Sequence, residues 1–107
     1  MEYLTVVRMQ TDACRYVATQ FPGARVLTVW PYTEYLKRPE LGYVAQPVAV
    51  DSFSPVRDAG DADVILSGAP VAGERVLDEY VRTRQLARIA GSQTGHVRWE
   101  LYDARGH

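Results

Sequence analysis

Chemistry needs convergent reactive groups, and a few stretches of this sequence carry groups of the right type. Ser67 follows the apolar run Asp63-Val64-Ile65-Leu66. That places it at the C-terminal end of an expected strand, where α/β proteins gather their sites. Its setting, Leu66-Ser67-Gly68-Ala69-Pro70, is not a nucleophile elbow. A Ser-His pair would draw on His96, yet nothing in the spacing joins the two. The carboxylates Asp58, Asp61 and Asp63 crowd one expected loop, without the spacing or closing Glu of a calcium loop. They read as a solvated turn leading into a strand.

Metal chemistry finds little support. The histidines are His96 and His107, with no His-x-x-x-His pair, and Cys14 is the single cysteine. Neither a disulfide within the chain nor a cysteine-based zinc site can be built from one thiol. Cys14 reads instead as a small buried hydrophobe on a helix. Gly91 to Gly95 is a Gly-x-x-x-Gly stretch, but it lacks the Lys-Ser/Thr pair of a phosphate loop and precedes a strand. Where a dinucleotide fold would carry glycines, this chain has Trp30-Pro31-Tyr32-Thr33. No cofactor and no metal is expected. Arg75, Arg82, Arg84 and Arg88 are interleaved with Glu74, Asp78 and Glu79, as on a salt-bridged solvent face.

An aromatic cluster is the more suggestive feature. Trp30, Tyr32, Tyr35 and Tyr43 follow a strand-like run, and aromatic rings at a strand end can stack on a sugar or dock a partner. The plainer reading is packing beneath a loop. With the neighbouring polar residues, the candidate ligand or partner surface is Trp30, Tyr32, Thr33, Glu34, Tyr35, Tyr43 and Ser67. No catalytic residue is assigned.

These residues must be positioned by regular elements. Thr5 to Phe21 carries apolar side chains at three- and four-residue steps, which predicts an amphipathic helix with Thr5 as its cap and Pro22-Gly23 as its stop. Arg25 to Trp30 and Asp63 to Ser67 are nearly continuous apolar runs, the pattern of strands buried on both faces. Thr33 would cap a short helix through Leu36 or Lys37, and Pro39 to Gly42 reads as a turn or single helical turn. Val44 to Phe53 predicts a strand that lies at an edge or begins after Pro47. Ser54-Pro55 opens a short helix to about Ala59, and Ala72 to Arg84 predicts a longer one. Leu86 to Ala90 and His96 to Tyr102 form a hairpin around a loop at Gly91 to Gly95.

This alternation predicts parallel strands joined by crossovers. The expected fold is a small three-layer α/β domain, one unit over residues 1–107. A short, mostly parallel sheet is flanked by helices and extended by a C-terminal antiparallel β-hairpin.

Bulk properties narrow the function classes. The 107 residues are 47% hydrophobic and 23% charged, with a formal net charge of -1. That composition is ordinary globular material. A near-neutral chain has no electrostatic footprint for nucleic acid or a polybasic role at membranes. No window approaches the ~20 apolar residues that span a bilayer, and no signal peptide opens the chain.

A set of short motifs adds a resemblance. Val26-Leu27-Thr28-Val29-Trp30-Pro31, Arg38-Pro39-Glu40-Leu41-Gly42-Tyr43-Val44, Asp61-Ala62-Asp63-Val64 and Trp99-Glu100-Leu101-Tyr102 occur in this order. Together they resemble the soluble C-terminal region of bacterial polytopic membrane glycosyltransferases of the dolichyl-phosphate-mannose mannosyltransferase type. The resemblance implies an extracytoplasmic accessory domain, periplasmic or at the cell surface, whose opening helix follows a last transmembrane span. Its partners would be that transmembrane region and a carbohydrate or lipid-linked sugar, acceptor or donor, that it helps to position. In such proteins the chemistry belongs to the membrane part, so no catalytic residue carries over. The alternatives are a free-standing, cytoplasmic α/β binding domain that dimerises through a sheet edge, and a small hydrolase-like enzyme using Ser67, Tyr32 or Glu34.

Overall fold

The computed structural model describes residues 2–53, 62–69 and 74–105. Helix α1 (Glu2–Gln20) leads through Pro22-Gly23 into strand β1 (Arg25–Thr28), helix α2 (Tyr32–Lys37) and a 3₁₀ turn (Pro39–Leu41). Strand β2 (Ala49–Ser52), strand β3 (Val64–Ala69), helix α3 (Glu74–Arg84) and the hairpin strands β4 (Arg88–Thr94) and β5 (Val97–Asp103) follow. The sheet order is β2-β1-β3-β5-β4. Strand β1 pairs in parallel with both β2 and β3, Val26 lying opposite Val50 on one side and Val64 on the other. Strand β5 then runs antiparallel to β3, with Leu66 opposite Leu101. The expected three-layer α/β fold with a terminal hairpin is the fold observed.

The layers follow from side-chain alternation, since successive strand residues face opposite sides of a sheet. Val26, Val64, Leu66, Val97, Trp99 and Leu101 pack against Met9, Ala13, Cys14 and Val17 of α1 and Tyr32 and Leu36 of α2. Leu27, Val29 and Ile65 pack on the other side against Leu77 and Val81 of α3. A buried hydrogen bond from the Thr28 hydroxyl to the Leu66 carbonyl (2.7 Å) adds a cross-link between β1 and β3. At the start of β1, the Arg25 guanidinium meets Asp51 (3.0 Å) and its backbone N–H meets Asp63 (2.9 Å). Asp63 of the carboxylate cluster thus pins strand ends together, while Asp58 and Asp61 lie outside the described residues.

Several expected boundaries are corrected. Helix α1 begins at Glu2 rather than at a Thr5 cap, so Thr5 lies inside it. Pro31, not Thr33, occupies the N-cap position of α2, and Thr33 is buried in its first turn. Strand β1 ends at Thr28, before Trp30. Strand β2, by contrast, meets the expectation set by its proline: it starts at Ala49, after Pro47, and lies on the sheet edge. Ser67 lies inside β3, which runs on to Ala69. Gly91 to Thr94 belong to β4, opposite Glu100 to Val97, and the connection is only Gly95-His96. Gly95 has φ +62, at the first central position, where a two-residue hairpin favours glycine. A bulge between Arg88 and Ala90 sets this register. The helix expected over Ser54 to Ala59 lies outside the described residues.

Gly68 marks a close approach of two strands in the sheet. A Cβ there would stand 2.7 Å from the Arg98 carbonyl oxygen and 3.3 Å from the Tyr32 hydroxyl. The first contact is backbone and cannot swing away. Gly68→Ala is expected to lower stability by about 1–3 kcal/mol through overpacking. A urea midpoint matching the parent protein would contradict this.

Candidate functional site

The residues singled out in the sequence do not form one surface. Strand parity separates them, because Gly68 faces α2 while Ser67 faces α3. Tyr32 is almost wholly buried, with its ring edge-on to Tyr35 at 6.3 Å. Burial pushes its phenol well above the ordinary tyrosine range, and Cys14, Tyr35 and Tyr43 add to the shift. Tyr35 stacks on Tyr43 at 3.9 Å and 16°. Glu34 is ion-paired with Arg38 (3.0 Å) and Lys37 (3.6 Å). Tyr32, Thr33 and Ser67 are therefore interior residues rather than ligand surface, because the two layers of helices cover both faces of the sheet above them. Trp30 is 63% exposed, just past the end of β1.

Cys14 is fully buried, and burial pushes its thiol up to about 12. The proton stays on sulfur at pH values where an ordinary thiol ionises. Native protein is expected to resist a thiol-specific disulfide reagent at pH 9 and to react at once in denaturant. The unfolded thiol titrates near 9, so stability is unaffected by this group below that pH. It declines as pH rises toward 12, because only the unfolded chain gives up the proton. Rapid labelling of the folded protein at pH 9 would contradict the burial.

Two concave sites stand out among the described residues. The larger, of about 880 Å³, lies between the C-terminal half of α1 and the segment entering β2. Phe21, Tyr43, Val44, Pro47 and Val48 supply apolar surface, and Arg15, Thr19 and Gln46 supply polar groups. Its shape has a local cause. The extended Arg38 before Pro39 ends α2, and the chain then crosses beneath α2, where the Val48 N–H bonds the Leu36 carbonyl (2.8 Å). Val44 drops into the core, while Ala45 to Pro47 stay exposed. Of the expected site residues, only Tyr43 lines this groove, supported from behind by Tyr35. Arg15, Phe21, Gln46 and Val48 were not anticipated, since no periodicity places α1 beside residues 43–49.

The second site, of about 610 Å³, lies over the end of β3 and one face of α3, lined by Ala69, Arg75, Asp78, Glu79, Arg82 and Arg98. Its wall is a hydrogen-bonded chain. The fully buried Ser67 hydroxyl donates to Asp78, and Asp78 also accepts from Arg98. Arg98 reaches Glu100 (2.7 Å), and Glu100 reaches Arg88 (3.5 Å). Asp78 is thus not on a solvent face, because the turn of α3 that buries Leu77 also brings residue 78 against the sheet. The Tyr102 phenol is raised to about 12, chiefly by burial and then by the charge of Glu100 and the hydrogen bond to it.

This arrangement bonds the Ser67 hydroxyl to a carboxylate instead of leaving it facing solvent. His96 sits in the hairpin turn, exposed. Among the described residues no group of three or more His, Cys, Asp or Glu side chains could hold a metal ion. No described helix is long and apolar enough to cross a membrane. The buried Trp99 indole N–H has no hydrogen-bond partner among the described residues, its ring lying 5.4 Å from Tyr16. No family model, curated protein or solved structure matches this chain.

Proposed function

We propose that this chain is a binding module without chemistry of its own: the accessory domain of a membrane glycosyltransferase that holds a carbohydrate acceptor. The observation that carries the reading is the groove between α1 and β2. It pairs an aromatic and aliphatic floor with an arginine, an amide and a hydroxyl at its margin. Sugars present just such a mixture of C–H faces and hydroxyl edges, and concave sites with a few convergent polar groups suit them. The motif order supports the glycosyltransferase setting, and with it an extracytoplasmic location.

The test is an amide-shift titration of the 107-residue protein with an α-linked manno-oligosaccharide. Saturable shifts at Thr19, Gln46 and Ala49 are expected, and Tyr43→Ala should weaken them about tenfold, the loss of a stacking contact. Absence of shifts at millimolar sugar, or shifts centred on Trp30, would overturn the groove assignment.

Dimerisation through a sheet edge is the weaker reading. Strand β4 carries a bulge, and Ser92, Gln93 and Thr94 along its length are exposed. Bulged polar edges discourage further pairing.

A further inference from the structure

The pocket over α3 has a different chemistry from the groove. We propose that it binds a phosphate group, as a mono- or diester. This site is separate from the groove and shares no lining residue with it.

The lining holds three arginines against two carboxylates. Asp78 is already spent, one oxygen on Ser67 and the other on Arg98. Glu79 is largely exposed and lies 4.0 Å from Arg82. Arg75 has no ion-pair partner among the described residues, although both acids one turn further along α3 lie at helical spacing from it. An anion placed in the pocket would give the Arg75 guanidinium a partner.

Arg98 supplies the fixed part. Carboxylates at Asp78 and Glu100 hold its guanidinium at the pocket wall, so little freedom is lost when it meets a ligand. The site lies beyond the C-terminal end of β3, between α3 and the start of β5, where Ala69 stands opposite Arg98. A tetrahedral anion suits guanidinium groups that approach from α3 and from β5.

The experiment has two arms on the whole protein in low-salt, phosphate-free buffer. In one, inorganic phosphate and then glucose 1-phosphate are titrated against the amide spectrum. In the other, the protein is sedimented with phosphatidylcholine vesicles, with and without phosphatidylglycerol. Saturable shifts at Ala69, Arg75 and Arg98 are expected, weakened about tenfold by Arg75→Gln and unchanged by Arg8→Gln. Arg75 is exposed, so its variant is expected to keep the native circular dichroism spectrum. A response in the soluble arm assigns a free phosphate compound. A response only to phosphatidylglycerol vesicles, lost in Arg75→Gln, assigns a lipid headgroup. Silence in both arms, shifts centred elsewhere, or binding undiminished in Arg75→Gln overturns the proposal. None of these outcomes bears on oligosaccharide shifts at Thr19 and Gln46, so the two readings fail separately.

Discussion

Replacing Asp78 by alanine is expected to destabilise the protein by about 2–3 kcal/mol, read as a fall in the urea midpoint with an unchanged slope. The magnitude comes from what is left behind. The Ser67 hydroxyl, with no exposure to solvent, loses its acceptor, and Arg98 loses one of the carboxylates that fix it. A buried donor without a partner loses its hydration with nothing in return, and the charged group adds to the penalty. Ser67→Ala removes the orphaned hydroxyl, so the double variant is expected to recover part of the loss. The coupling between the two sites should be about 1 kcal/mol, within the range for contacting residues. A loss below about 0.5 kcal/mol, typical of surface changes, would show that the chain through Asp78 does not hold α3 to the sheet.

Leu66→Ala is expected to have the largest effect, about 3–5 kcal/mol. Leu66 has no solvent exposure and sits in the central strand, opposite Leu101 and under α1. Strands on either side and a helix above leave little room for collapse, so the cavity would persist. A domain of this size has roughly 5–15 kcal/mol in total, and the variant should melt far below the parent. Leu41→Ala is the contrast. That side chain is 47% exposed on the 3₁₀ turn, and its loss should fall within about 0.5 kcal/mol. Similar losses at the two positions would mean that the core is not organised around β3.

Parts of the fold that depend on apolar continuity were legible in the sequence. Val26 to Val29 and Val64 to Leu66 read as strands buried on both faces, and they are parallel neighbours. The alternation Val97, Trp99, Leu101 marked β5, and the same rule would have sent Arg98 and Glu100 to the opposite face. What was not legible depends on partners rather than on pattern. Gly91 to Thr94 form a strand because an edge position tolerates polar residues once the ladder to β5 exists. Asp78 looked like a solvent residue because helix periodicity shows where Leu77 and Val81 point, but not that Ser67 and Arg98 wait beside them. Of the aromatic set at the expected strand end, the three tyrosines meet, with Tyr35 between Tyr32 and Tyr43. Pro31 and the short α2 turned Tyr32 inward and carried Tyr43 to the far end of the sheet, leaving Trp30 alone at the strand end. Ser67 and Tyr32 both follow strand-like runs, which groups them on one candidate surface, whereas Tyr32 packs on the Gly68 side of the sheet and Ser67 on the α3 side.

The strand order has a bearing on how the chain is made. Helix α1 is synthesised before every other element of this fold, yet it lays much of its apolar stripe over β5, which is synthesised after the rest of them. Until residue 103 emerges, Met9, Ala13 and Val17 lack the surface that finally shelters them. A nascent chain halted after α3 would therefore display a greasy helix and the bare rim of β3, an attractive target for chaperones. Emergence of β4 and β5 then completes both layers in one stroke.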